Sequence, residues 1–314
     1  MIISVTPNSS IDWTIFIPYL HWNETIRSQK AVWGMAGKPA DASWILGELG
    51  IKSLAMGFAA GMTGNKMLEL FHQKGVDTDF VWVEGETRLN VHLVDMESGG
   101  QSLLAVDTLI VKPDHIKEFF ERYEKALNQA EAVVTGGSLP KSLDLSILTI
   151  IVQMARERNI PVALDTSGPH IKPGLAGHPN FIKPNRTELS QVIGRQVKTV
   201  KEVYAAAREV LDIYGTEVVV TLGDQGALAV LKDRAYRIPA PKVDHVESIA
   251  GAGDAVLAGI TWALAYKKPI EEGLRLGTAA AGAVVMQPGT ADCRKEDVDW
   301  LLPTIELIPY QEGM

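Results

Sequence analysis

Short apolar runs alternate with segments of helical spacing along most of the chain. Ile2–Val5, Ser53–Gly57, Ala132–Thr135, Val162–Leu164 and Glu217–Leu222 read as strands without the polar alternation of a half-exposed sheet. Between them the spacing predicts helices over Ala40–Leu49, ended by Gly50, and Asn65–Lys74, ended by Gly75. Two more fall near Leu145–Arg158 and over Val200–Tyr214, and the last quarter predicts helices at about 254–266 and 270–286. Such β–α alternation predicts an α/β fold with a mostly parallel sheet covered on both faces.

Two stretches break the pattern. Asp12–Pro18 and Arg88–Asp95 alternate polar and apolar residues, and Gln101–Val106 can pair with the second across Ser98-Gly99-Gly100. Inserted between βα units, at about 12–33 and 86–107, they read as a small accessory sheet acting as a lid, or else as edge strands of the main sheet. The chain otherwise reads as one domain over 1–314, with no internal repeat and no low-complexity linker.

With 314 residues, 46% of them hydrophobic, the chain can bury a large core. Its net charge of −8 and lack of a Lys/Arg-rich run argue against a nucleic-acid partner. The single cysteine, Cys293, excludes an internal disulfide and a cysteine-cluster metal site. The seven histidines form no His-x-x-x-His pair, which argues against a zinc hydrolase. The start, Met-Ile-Ile-Ser-Val-Thr-Pro, reads as a strand rather than a signal peptide, and the longest apolar runs are too short to cross a bilayer. A soluble cytoplasmic protein without a membrane partner is expected.

Several familiar phosphate and nucleophile motifs are absent. Gly251-Ala252-Gly253 lacks the third glycine of a dinucleotide fingerprint, and no P-loop sequence occurs. Gly136-Gly137-Ser138 opens like a nucleophile elbow but ends in Pro140. The segment Ser248-Ile-Ala-Gly251-Ala-Gly253-Asp254 is more informative. Its glycines let backbone N–H groups approach a ligand at a helix start, forming an anion hole. Asp254 then either caps the helix or accepts a proton from a hydroxyl attacking phosphorus. Gly37-Lys38 places a cation at another helix start, where an anion must offset it. Lys38, Arg88 and Arg27 form a candidate phosphate clamp, or are ordinary surface charges. Asn185 and Glu188 fit either a site near Mg²⁺ or a capping box. Thr221, Gly223 and Gly226 fit either a nucleotide border or a hairpin turn.

In this order the pieces resemble the ribokinase-like PfkB carbohydrate kinases over nearly the whole chain. Ile249-Ala-Gly251-Ala-Gly253-Asp254 is the most specific match. Supporting segments include Val5-Thr-Pro-Asn8, Ala36-Gly37-Lys38, Thr87-Arg88-Leu-Asn90, Gly137-Ser138-Leu-Pro140, Leu164-Asp165, Lys183-Pro-Asn185 and Thr221-Leu-Gly223. Within the family, the chain looks most like the phosphosugar branch of 1-phosphofructokinase and tagatose-6-phosphate kinase. The resemblance implies a doubly wound sheet flanked by helices, a β-sheet lid that often forms a homodimer interface, and the use of ATP and Mg²⁺. It implies Asp254 as general base with the amides of Gly251, Ala252, Gly253 and Asp254 as anion hole. It places Asp12, Asn90, Ser138, Gly37 and Asp41 around the sugar, with Lys38, Arg88 and Arg27 on the substrate's phosphate. Lys183, Asn185, Thr221, Gly223 and Gly226 would border the nucleotide, with Asn185 and Glu188 reaching Mg²⁺ through water or phosphate.

Two departures concern the sugar. The family's Gly-Lys-Gly-x-Asn is here Gly37-Lys38-Pro39-Ala40-Asp41, so a rigid ring and a carboxyl stand where an N–H and an amide are expected. Pro7-Asn8 also inverts the usual Asn-Pro. The expected activity is phosphorylation of fructose 1-phosphate. The alternatives are tagatose 6-phosphate, fructose 6-phosphate, an unphosphorylated sugar or a nucleoside as substrate, or a non-catalytic sugar-phosphate binder.

Overall fold

A computed structural model describes residues 1–311 of the chain. The first half runs β1 (Ile2–Thr6), β2 (Ser10–Ile17), β3 (Lys30–Ala36), α1 (Lys38–Glu48), β4 (Ser53–Ala59), α2 (Gly61–Gln73), β5 (Asp77–Trp82), β6 (Glu84–Gly85), β7 (Arg88–Asp95), β8 (Gln101–Leu104), β9 (Leu109–Ile110) and α3 (Pro113–Leu127). It continues β10 (Ala132–Gly136), α4 (Ser146–Arg156), β11 (Val162–Asp165), α5 (Ile171–Leu175), β12 (Phe181–Ile182), α6 (Arg186–Ile193), α7 (Val200–Tyr214) and β13 (Glu217–Thr221). The chain then forms β14 (Ala227–Val230), β15 (Ala235–Ile238), α8 (Ala252–Ala265), α9 (Ile270–Val285), α10 (Lys295–Leu301) and β16 (Ile308–Pro309).

Ten strands form the main sheet in the order β16-β15-β14-β13-β12-β11-β10-β1-β4-β5. From β5 to β13 every pairing is parallel, and β14, β15 and β16 extend the edge antiparallel. Successive strand residues bury on opposite faces. Ile2, Ala132 and Val134 join one core with α1, α2, α8 and α9, whereas Ile3, Val5 and Val133 join another with α3 and α4. Leu164, Ile182 and Val218 pack with α6 and α7. This is the doubly wound arrangement, with the order reversing between β1 and β10.

β3, β2, β7 and β8 form a separate four-stranded sheet, so the alternating stretches are a lid sheet rather than edge strands of the main one. β7 and β8 pair antiparallel across the Ser98-Gly99-Gly100 turn, as the sequence predicts. Helix α2 starts at Gly61 rather than Asn65, since Glu86, from the approach to the lid, accepts a hydrogen bond from the Thr63 N–H at 2.5 Å. The polar start is thereby capped from a distant segment. β5, α3 and the final elements from α10 onward lie outside the sequence-based assignments. Among the described residues no helix is long and apolar enough to cross a membrane.

Candidate active site

The carboxyl ends of parallel strands at a reversal of strand order open a crevice. Here β1 leads to Asn8 and β10 to Ser138, and the Asn8 amide donates to Ser138 Oγ at 3.0 Å, bridging the reversal. Next along the sheet, Asp165 ends β11 and is fully buried. Lys38 Nζ lies 2.7 Å from Asp165 Oδ1 and 2.8 Å from Glu188 Oε1. Lys183 Nζ lies 2.8 Å from Asp165 Oδ2. One strand-end carboxylate thus gathers two ammonium groups. Burial works against the charge on Lys38, but Asp165, Glu188 and Asp254 outweigh it and hold its pKa above the ordinary lysine value.

Helix α8 begins in this neighbourhood. Gly251 is its N-cap in the left-handed conformation, with φ 85°, and an added Cβ would stand 2.4 Å from the Ala291 backbone. Only glycine serves there. No side chain caps this helix, so Asp254 in its first turn does not act as a cap. The Asp254 N–H donates to Gly251 O at 2.9 Å, and the Ala252 N–H reaches Ile249 O only at 3.5 Å. The expected hole of amides from 251 to 254 therefore narrows, because Asp254's amide is already spent closing the turn. Among the described residues the Gly251 and Gly253 N–H groups have no backbone acceptor, and Lys183 Nζ lies 3.1 Å from where a Cβ of Gly253 would stand. An anion here would meet free N–H groups, the positive end of a 14-residue helix and an ammonium group. Desolvation and the negative Asp165 push the Asp254 pKa up to about 7, against the pull of Lys183 and Lys38 and of a hydrogen bond with Asp41. That poises it as a proton acceptor near neutral pH.

Helix α1 opens opposite without a side-chain cap, with Gly37 at the N-cap and Pro39 in the first turn. Pro39 fits because no intrahelical N–H is needed there. Asp41, one turn in, is buried, and its carboxyl contacts that of Asp254.

From the lid, Asp12 on β2 is buried and fully engaged. Its Oδ1 accepts from the Asn90 amide at 2.8 Å, and its Oδ2 bonds with His92 Nε2 at 2.8 Å and accepts from the Thr290 hydroxyl at 2.7 Å. Thr290 follows α9, so this carboxylate ties the lid to the main body. Arg88 starts β7 and donates to Asn8 O at 2.7 Å and Ser10 Oγ at 3.1 Å, while its buried Nε has no partner. It forms no ion pair among the described residues, and burial lowers its pKa. Asn8 Oδ1 and Asn90 Oδ1 are likewise buried without donors.

On the far side, Asn185 caps α6. Its Oδ1 accepts from the Glu188 N–H at 2.9 Å and the Asn185 N–H donates to Glu188 Oε2 at 2.8 Å, a complete capping box. Both Glu188 oxygens are thus occupied, the other by Lys38. Among the described residues no group of three His, Cys, Asp or Glu side chains is placed to hold a metal. Thr221 ends β13 and its N–H donates to Pro184 O at 3.0 Å. The segment after it is a hairpin connection to β14. Gly226 is fixed by backbone packing, since its Cβ would fall 2.0 Å from Ile238 O. Gly223, with nothing within 4 Å of that point, leaves its side of the turn open.

The structure therefore brings together Asp254, Gly251, Gly253, Lys183, Lys38, Asp41, Glu188 and Asn185. Asp12, Asn90, Arg88 and Ser138 line the lid side. Lys38 is ion-paired, with Asp165 and Glu188 supplying the anions its helix start requires. Arg27 lies exposed in the loop between β2 and β3. Asp165, His92 and Thr290 were missed as site residues. A carboxylate ending a buried parallel strand was the signal that marked Asp165.

The model of the pfkB family carbohydrate kinases matches residues 9–297. The chain is 28% identical over 307 residues to a 1-phosphofructokinase of Bacillus subtilis, covering 98% of this chain and 99% of that one. It is 28% identical over 311 residues to a tagatose-6-phosphate kinase of Staphylococcus epidermidis, covering 98% and 99%. The crystal structure of phosphofructokinase-2 from Escherichia coli in complex with potassium matches with a TM-score of 0.87 at 28% identity, covering 96% of this chain and 98% of that one.

Proposed function

Because the chain belongs to the pfkB family of carbohydrate kinases, we propose that it transfers the γ-phosphoryl group of ATP to a hydroxyl of a phosphorylated ketohexose, foremost fructose 1-phosphate, giving fructose 1,6-bisphosphate. The observation that carries this reading is the open start of α8, where Asp254 is free of capping duty beside N–H groups without acceptors. As the sugar oxygen bonds to the γ-phosphorus, its proton passes to Asp254 and the bond to the β,γ-bridging oxygen breaks, releasing ADP. Gly251 and Gly253 N–H groups and Lys183 meet the charge on the transferring group. Magnesium would neutralise nucleotide phosphate charge. Asn185 and Glu188, already hydrogen-bonded, suit an outer-sphere role through water.

Arg88 supports a substrate that already carries phosphate. Among the described residues it is a half-buried guanidinium with a free Nε and no carboxylate partner. The orphaned oxygens of Asn8 and Asn90 suit the hydroxyls of a polyol. Occupation of Lys38 by two carboxylates removes one cation from the clamp and favours, as second reading, an unphosphorylated sugar or nucleoside. ADP release from ATP with fructose 1-phosphate, fructose 6-phosphate, tagatose 6-phosphate, fructose and a nucleoside decides between them. The highest kcat/KM is expected for fructose 1-phosphate. Turnover confined to unphosphorylated compounds would overturn the phosphosugar reading, and sugar-phosphate binding without ADP release from any of them would make the protein a binder.

The lid also suits a homodimer. Asp12 faces the site, so by the pleat Trp13, Ile15, Trp33, Leu93 and Leu104 share the opposite face. Trp13 and Trp33 stack at 5.4 Å, and Leu104 is 57% exposed. A second copy of the lid would cover this face. Sedimentation should show a dimer, and a Trp33→Glu variant a monomer.

A further inference from the structure

Asp41 departs from the amide expected at its position, and its surroundings give that departure a role. It is 4% exposed, and its Oδ1 faces no donor. Helix α1 packs against α8 and sets this carboxyl beside that of Asp254. Two neighbouring buried carboxylates repel, which favours a proton on one of them that can be donated to the other. The charged groups around the pair are Asp12 from β2, Asp165 from β11, Lys38 from α1 and Lys183 after β12. Both lysines rest on Asp165, so neither ammonium is ion-paired with Asp41. Asp12 and Asp165 add negative charge, and burial adds a desolvation cost. A shared proton reconciles the two carboxyls.

We propose that Asp41 is a positioning residue for Asp254: it holds a proton, donates that hydrogen bond to the Asp254 carboxylate, and so fixes the base while leaving it ionised. This rests on the reading of Asp254 as the base. The pair then carries one negative charge rather than two, which lessens the repulsion an anionic sugar phosphate would meet. During turnover the substrate proton goes to Asp254 and Asp41 keeps its own, so the pair passes through a doubly protonated state and returns by releasing one proton. Two pH limits follow. In acid, Asp254 gains a second proton for the pair and cannot accept one from substrate. In alkali the shared proton leaves, and the two carboxylates separate.

The test compares kcat against pH for the wild type, Asp41→Asn and Asp41→Ala, using ATP and the best substrate of the panel, with thermal unfolding as a check on folding. Asparagine keeps a donor to Asp254 but cannot ionise. The D41N profile should keep the acid limb and lose the alkaline one. D41A should lose kcat on the order of 100-fold, with D41N recovering most of that loss. Difference infrared spectra taken one to two pH units above the Asp254 pKa of about 7, where Asp254 is ionised, should show a protonated carboxyl in the wild type that is missing in D41N. An alkaline limb unchanged in D41N, equal losses in D41N and D41A, or no protonated carboxyl would each overturn the proposal. If D41A does not fold, D41N and the infrared spectra decide. Failure of the base reading shows separately, as normal turnover by Asp254→Asn.

Discussion

Helices α6 and α8 both start at the carboxyl edge of the sheet with an acidic residue in the first turn, and the two starts are built differently. In α6, Asn185 and Glu188 close a reciprocal capping box, and the remaining Glu188 oxygen takes Lys38. Every polar atom of that acid is spent. In α8 no side chain caps the turn, the N-cap glycine is held left-handed, and the acid points to another carboxyl instead of a backbone N–H. The same residue class at the same helix position is structural in one case and chemically available in the other. Sequence position cannot separate them. Hydrogen-bond partners do.

The largest test of this contrast is Asp254→Asn. It keeps shape and removes the proton acceptor, so kcat should fall on the order of 1,000-fold while ATP affinity, measured by calorimetry, stays within about threefold. Turnover near wild type would place Asp254 with Glu188, as a residue of the helix start only. Arg88→Ala comes next. A guanidinium that holds substrate phosphate in ground and transition states alike should, when removed, raise KM for the sugar phosphate about 10- to 100-fold with little change in kcat. An unchanged KM would take Arg88 out of the substrate site.

A pH profile probes the same carboxyl more gently. With its pKa pushed up to about 7, Asp254 is increasingly protonated as pH falls, so kcat should drop about tenfold per unit below that value. A profile flat down to pH 5 would mean that the acceptor has an ordinary carboxylate pKa or is another group.

The α8 start was legible because its glycines and acid are contiguous, and the α/β layering because parallel strands are continuous apolar runs. The lid was legible from its alternation. The site's electrostatics were not. Lys38 meets Asp165 and Glu188 from 127 and 150 residues away, so a local reading leaves its charge free for a phosphate. Asp41 and Asp254 lie on different helices, and only their meeting makes a carboxyl in place of an amide intelligible. Helix α3 was missed for a simpler reason: among its 15 residues only Phe119, Tyr123 and Leu127 are fully buried, a narrow stripe among charges.

The smallest expected effect belongs to the other half of the comparison. Asn185→Ala removes the oxygen that accepts from the Glu188 N–H and leaves one donor at the start of α6 unmet. Losing such a cap costs about 1 kcal/mol, a shift in thermal midpoint of a few degrees at most for a chain of this size. Glu188 would still hold Lys38 and still accept from the residue 185 N–H. If the role of Asn185 is confined to the cap, stability falls by about that amount and KM for ATP does not change. A rise in KM for ATP at unchanged stability would instead mean that the amide also reaches the nucleotide, and the contrast between a closed start at α6 and an open one at α8 would then be one of degree.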